Sequence, residues 1–214
     1  MKEAIIIGGS RGIGKAIADS LHSIGFKIIA TSTNKLDTSN IKNINEFLLQ
    51  NKETDILVLN TGGPPKKNFF DITEVEWNHY HNQLFLGFCI ILQKLRIRNN
   101  GFIFLISSGV IKEPNSNLIL SSAYRTAFSN VFKVLSKNFA SRNISCINIA
   151  PGSIKTDRLN EIKNMSEFEK TLPMKRTGDP KEIGNFVKSI VENDIKYLSG
   201  VVINFDGAQS NYVL

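Results

Sequence analysis

Six short apolar runs punctuate the chain, at residues 4–7, 27–31, 56–60, 102–107, 145–149 and 201–205. Stretches of helical periodicity separate them, at 12–24, 41–50, 74–98, 121–141 and 180–193. Strands that are apolar on both sides need a cover on each face, and the helices between them can supply both. The alternation therefore predicts an α/β chain with a doubly wound parallel sheet and helices on both faces. At 214 residues and 42% hydrophobic content, residues 1–214 suit a single domain with one sizeable core. One interval is short. Between Thr31 and Asp55 there is room for one helix, where a regular doubly wound sheet needs a helix, a strand and a second helix. Residues 34–40 are expected to form an abbreviated connection with at most a vestigial edge strand.

The first strand runs straight into Gly8-Gly9-Ser10-Arg11-Gly12-Ile13-Gly14, which opens the first helical stretch. A glycine turn between a buried strand and a helix N-terminus gathers unpaired N–H groups and a positive dipole end at one point. That point suits a pyrophosphate, and the glycines admit it because a Cβ would block the turn or the approach. The expected fold is thus a Rossmann fold with a dinucleotide site beyond the carboxyl ends of the strands.

Other classes are excluded. The net charge of +7 comes from lysines spread along the chain (Lys15, Lys66, Lys112, Lys137, Lys188), with no basic block of the kind nucleic-acid binders carry. Cys89 and Cys146 sit in apolar surroundings and read as buried free thiols. The longest apolar stretch, residues 84–92, is too short to span a bilayer, and the N-terminal run ends in glycines. A cytoplasmic protein with no membrane or nucleic-acid partner is expected.

Read in order, the strand ends carry Gly8-x-x-x-Gly12-x-Gly14, Asn60-Thr61-Gly62-Gly63, Ser107-Ser108, Pro151-Gly152 with Thr156, and Asp206-Gly207. Together these resemble the short-chain dehydrogenase/reductase family over nearly the whole chain. The segment from Asn60 to Pro64 is similar to its 3-oxoacyl-carrier-protein reductase-like members. The resemblance implies a nicotinamide-dependent oxidoreductase acting on a small carbonyl or alcohol. It implies that Gly8, Ser10, Arg11, Gly12, Ile13 and Gly14 cradle the pyrophosphate, and that Asn60, Thr61 and Gly62 line the adenosine ribose. It further implies that Pro151, Gly152 and Thr156 hold the carboxamide. Asp37 falls where the family places an acid near the adenine, though an Asp there can equally cap a turn. Cofactor choice turns on the second strand end. Ser32 and Thr33 stand where a carboxylate would select NAD, and Arg11 lies within reach from the glycine turn. Hydroxyls with a guanidinium suit a 2′-phosphate, so NADPH (NADP) is expected over NADH.

The catalytic pattern departs from the family. Typical members use a Ser, a Tyr and a Lys, with an Asn on an earlier helix. Here Ser108 fits the Ser, while Ser121 stands for the Tyr, Arg125 for the Lys and Leu84 for the Asn. A serine hydroxyl is a far weaker acid than a phenol of pKa about 10. Arg125 can bind a ribose hydroxyl but cannot relay a proton. Tyr124 leaves two readings open: its hydroxyl turns toward the nicotinamide, or its ring packs on a neighbouring helix. His79 and His81 are two residues apart and face differently, so a shared metal is not expected.

The expected function is carbonyl reduction with NADPH, with Ser108, Ser121, Tyr124 and Arg125 as the catalytic set. The alternative is a catalytically impaired dinucleotide-binding module for sensing or assembly. A homodimer or homotetramer through the helices at 74–98 and 121–141 is expected; Leu84, Phe85, Phe88, Phe128 and Leu135 are compatible with a buried dimer face, and ordinary core packing would look the same. The substrate lid, residues 156–177 with Arg158, Leu159, Phe168 and Met174, carries no specificity signal.

Overall fold

The computed structural model describes residues 1–157, 159 and 164–212. The strands are β1 (Glu3–Ile6), β2 (Lys27–Ala30), β3 (Glu53–Leu59), β4 (Arg96–Ile106), β5 (Ser145–Pro151) and β6 (Val201–Phe205). They form one six-stranded sheet in the order β2-β1-β3-β4-β5-β6. Every neighbouring pair is parallel, so all the carboxyl ends share one edge.

Side chains alternate across the pleat and feed two cores. Ile5, Leu57, Ile103 and Cys146 face α2 (Ile41–Gln50), α4 (Gly87–Lys94) and α5 (Ile119–Ala140). Ala4, Val58, Phe104 and Ile147 face α1 (Gly12–His22) and α7 (Pro180–Glu192). The β3–β4 connection also carries α3 (Glu74–His81), and the β5–β6 connection the short α6 (Met165–Thr171).

Two departures have physical causes. The stretch read as one helix over 74–98 is α3, a π-helical turn at Asn82–Leu86 and α4, which ends at Lys94. Leu95 is already extended, and Arg96 and Ile97 pair with Glu53 and Thr54 as strand. Arg98 bridges Glu53 (2.9 Å) and Asp55 (2.8 Å) across β3, so charges that read as a helix end are cross-strand pairs. Second, of the two readings open for the apolar residues on these helices, core packing holds: Leu84, Phe88 and Phe128 are each 1% exposed. Phe85 and Leu135 are partly buried against the same core.

Residues 34–40 form turns. The Ser32 carbonyl accepts from the Lys35 and Leu36 N–H groups (both 2.9 Å), and Leu36 is buried in the first core. β2 is accordingly an edge of the sheet. Among the described residues no helix is long and apolar enough to cross a membrane.

Candidate functional site

The glycine turn closes on itself at the carboxyl end of β1. Gly8 has φ +63°, a left-handed conformation that favours glycine, and its N–H donates to Thr31 Oγ1 (3.2 Å). Asn60 Nδ2, just beyond β3, donates to the Gly8 carbonyl (3.0 Å). A Cβ on Gly14 would lie 2.1 Å from that carbonyl, so only glycine lets α1 start against the turn. A Cβ on Gly12 would sit 3.3 Å from Thr156 Cγ2, which places Thr156 against the turn from the β5 side. Ile13 packs on the second core, and Ser10 is exposed. Arg11, at the N-cap of α1, gives no side-chain hydrogen bond, and the first turn holds no acid. The first N–H groups of α1 therefore face outward with a positive dipole end, in a cradle a single Cβ would fill. That arrangement fits a dinucleotide pyrophosphate.

At the end of β2, Ser32 is half-buried and Thr33 exposed, with no carboxylate among residues 31–35. Arg11 reaches the other way, 3.8 Å from Asp157, with side-chain exposures of 80% and 72%. An ion pair so exposed contributes at most about 1 kcal/mol. Asp37 takes the turn-capping role. Its Oδ1 accepts from the Ser39 N–H (2.9 Å) and hydroxyl (2.7 Å), and its own N–H donates to Asn43 Oδ1 (2.6 Å). Beyond β5, Gly152 N–H donates to the Phe205 carbonyl (3.1 Å), and Pro151 pairs with Phe205, which joins this loop to the end of β6.

Of the positions read as catalytic, Arg125 reaches the ends of β3 and β4. Ser108 lies two residues beyond β4 and accepts from the Val110 N–H (3.4 Å). Ser121 is buried on α5. Arg125, one helical turn on, is 8% exposed; it donates to the carbonyls of Ile106 (3.1 Å) and Thr61 (3.3 Å), bridging the ends of β4 and β3. Tyr124 turns away from them. Its hydroxyl donates to the Trp77 carbonyl on α3 (3.1 Å), and its ring meets those of Trp77 (5.9 Å) and His81 (5.5 Å) edge-on. Burial pushes the phenol above its ordinary pKa. In the structure the Tyr124 ring packs on α3, which lies where its hydroxyl points.

Two polar groups at the site had no assignment from sequence. Asn148, 2% exposed in β5, accepts from Ser107 Oγ (2.5 Å) and donates to Ser129 Oγ (3.0 Å), which donates to the Arg125 carbonyl (2.7 Å). An asparagine inside an apolar strand was the available signal, since a buried amide requires partners. The other is Gln83, in the π turn, which donates to Thr61 Oγ1 (3.0 Å). Nothing in the periodicity marked it, because a π turn shifts the helical phase only locally. The lid segment is fastened at its base by Lys155 N–H to the Gly178 carbonyl (2.8 Å) and Gly178 N–H to the Ser153 carbonyl (2.9 Å). Arg158 lies outside the described residues. Among the described residues no cluster of three or more His, Cys, Asp or Glu could hold a metal ion.

A family model described as enoyl-(acyl carrier protein) reductase matches residues 38–208. The 3-oxoacyl-[acyl-carrier-protein] reductase of Buchnera aphidicola subsp. Baizongia pistaciae is 30% identical over 236 aligned residues, covering 96% of each chain. Among solved structures, a short chain dehydrogenase family protein from Francisella tularensis subsp. tularensis SCHU S4 superposes with a TM-score of 0.85 at 22% identity, covering 97% of this chain and 98% of that one. YwfH, an NADPH dependent reductase involved in bacilysin biosynthesis, superposes with a TM-score of 0.84 at 21% identity over 99% of both chains.

Proposed function

The chain belongs to the short-chain dehydrogenase/reductase family of oxidoreductases, and from that premise we propose that it reduces a carbonyl substrate with NADPH, a 3-oxoacyl group being the first candidate. One observation carries the reading: the Gly8–Asn60–Gly14 interlock keeps open a cradle of outward N–H groups at the head of α1. Bound there, NADPH would supply the hydride, and positioning is most of what the protein must add. Ser32 and Thr33 would donate their hydroxyls to a 2′-phosphate without repelling it, and Arg11 needs only to leave a weak pair with Asp157 to join them. Thr156 stands against the turn, and with Pro151 and Gly152 at the end of β5 it would hold the carboxamide. Ser108 offers its hydroxyl to the substrate carbonyl oxygen, and the Arg125 charge at the adjoining strand ends favours the developing negative charge. Water delivers the proton, since Tyr124 is committed to Trp77 and Arg125 keeps its own. The similarity to a 3-oxoacyl-[acyl-carrier-protein] reductase along 96% of the chain supports the substrate class.

A calorimetric titration with NADPH and NADH tests this. NADPH is expected to bind at least about tenfold tighter. Equal affinities would remove the roles given to Arg11, Ser32 and Thr33, and no binding of either would remove the oxidoreductase reading.

One observation favours a second reading. A phenol engaged with a backbone carbonyl, beside Ser121 and Arg125, leaves no strong acid at the family's proton-donating position. That suits a dinucleotide-binding module that no longer turns over. Turnover of a 3-oxoacyl thioester with NADPH decides between them. Self-association through α3, α4 and α5 remains part of the proposal, supported by the outward Val75 (76% exposed) and Val134 (63% exposed). The free thiols Cys89 and Cys146 fit a reducing cytoplasm.

A further inference from the structure

Beyond β6 the chain turns back across the carboxyl edge of the sheet. Because β5 lies between β4 and β6, a segment leaving β6 passes the loop after β5 before it reaches the one after β4. Residues 206–212 touch both loops. On the β5 side, Ser153 Oγ donates to Gln209 Oε1 (2.8 Å), and Gln209 Nε2 donates to the Asp206 carbonyl (2.6 Å). That carbonyl only accepts, so the amide has one orientation and the serine is the donor. A Cβ on Gly152 would lie 2.8 Å from both Asp206 Cβ and Gln209 Nε2, so the segment rests directly on the loop. The Asp206 carboxylate accepts from the N–H groups of Ala208 (3.0 Å) and Ser210 (3.1 Å), which keeps the segment's own turn closed.

On the β4 side, Asn211 N–H donates to Glu113 Oε1 (2.8 Å), 98 residues away in the chain. The Lys112 ammonium stands 4.7 Å from the centre of the Tyr212 ring, and the Tyr212 hydroxyl donates back to Asn204 Oδ1 on β6 (2.7 Å). Lys112 and Glu113 belong to one compact turn with Ser108: the Gly109 carbonyl accepts from both their N–H groups (3.1 Å each), and the Ser108 carbonyl from Ile111 N–H (3.2 Å). A displacement of Glu113 is therefore passed to Ser108. Loops tied only at their strand ends would lose freedom when a ligand orders them, and a tie between two loops removes that cost beforehand.

We propose that residues 206–212 form a clasp that fixes the 151–153 loop against the Ser108 loop, with Gln209 and Glu113 as positioning residues for the nicotinamide end of the cofactor. The proposal rests on the dinucleotide reading given above, which assigns Pro151, Gly152 and Thr156 to the carboxamide. Gln209 acts through Ser153, and Glu113 acts through Asn211.

Calorimetric titrations of the intact protein test the clasp, with NADPH and with 2′-phosphoadenosine diphosphoribose, which lacks the nicotinamide ring. Gln209→Met keeps the length of the side chain and loses both amide bonds, and Ser153→Ala removes the shared bond from the other side. Glu113→Leu releases Asn211, whereas Glu113→Gln keeps an acceptor there. Gln209→Met is expected to weaken NADPH about fivefold and leave the ring-less ligand unchanged, which also reports that the variant is folded. Adding Ser153→Ala to it should weaken NADPH no further, because both act on one bond. Glu113→Leu is expected to weaken NADPH about threefold, and Glu113→Gln to bind it as the wild type does. The proposal is overturned if Gln209→Met or Glu113→Leu binds NADPH as the wild type does, if the ring-less ligand weakens equally, if the two losses add in the double variant, or if Glu113→Gln costs as much as Glu113→Leu. Wild-type protein that binds neither ligand overturns the dinucleotide reading itself, a result distinct from any of these.

Discussion

Gly14→Ala puts the glycine cradle to a quantitative test. The added methyl would lie 2.1 Å from the Gly8 carbonyl oxygen and 2.7 Å from Asn60 Nδ2, where ordinary contact begins near 3.4 Å. The first gap is therefore short by about 1.3 Å, and the obstacle is backbone rather than the tip of a rotatable side chain. Asn60 cannot withdraw either without losing its 3.0 Å bond to the same carbonyl. Alanine gains about 1 kcal/mol over glycine in helix propensity. Overpacking costs about 1–3 kcal/mol, and losing the Asn60–Gly8 bond about 0.5–1.5 kcal/mol more. The clash outweighs the propensity, with a balance centred near 2 kcal/mol of destabilisation, or a fall in Tm of about 4–8 °C for a chain of this size. Thermal melts with and without NADPH provide the assay. The variant should melt earlier and gain little from NADPH, because the N–H groups of α1 have moved with the turn. Gly62→Ala is the control: nothing lies within 4 Å of its Cβ position, so its stability should change by less than about 0.5 kcal/mol. A Gly14→Ala protein with wild-type Tm and wild-type NADPH stabilisation would refute the account of the cradle.

Tyr124→Phe should cost about 0.5–1.5 kcal/mol, the net worth of the bond to the Trp77 carbonyl, and leave any turnover intact. Complete loss of turnover with NADPH binding preserved would instead make Tyr124 the proton donor. Lys67 (2.7 Å), followed by the Thr73 N–H and hydroxyl, holds the Glu76 carboxyl at about 2, below its unfolded value. A depressed carboxyl stabilises the fold above its unfolded pKa and ceases to as the pH falls through the folded one. Chemical denaturation between pH 5 and pH 2 should therefore show a loss that Glu76→Gln lacks, and parallel curves would refute the linkage. Burial pushes the Cys146 thiol up to about 12, so in the native protein at pH 8 it should resist a thiol reagent and react only on unfolding. Labelling at Cys146 without unfolding, read by mass spectrometry, would contradict that burial.

The sequence by itself determined the layered architecture. Apolar runs at strand length and amphipathic stretches between them leave a parallel sheet as the only way to bury every face, and β6 and α2 fall at the residues where the periodicity places them. The short interval after β2 was equally legible, because chain length limits what a crossover can contain. So was the glycine turn, since a strand, a glycine-rich turn and a helix occur consecutively in the chain. The tertiary structure decided matters that depend on residues far apart in sequence. Leu84 and Phe128 are apolar helix residues whether they face the core or a partner subunit, and only the packed sheet puts them in the core. Tyr124 could point either way from α5 until α3 brought the Trp77 carbonyl to its hydroxyl, 47 residues away in the chain. Arg125 and Gln83 converge on Thr61 from two helices, one of them bent by a π turn that no local pattern signals. Burial patterns are local and repeat with the period of each element, whereas hydrogen-bond partners are set by the distances that folding creates.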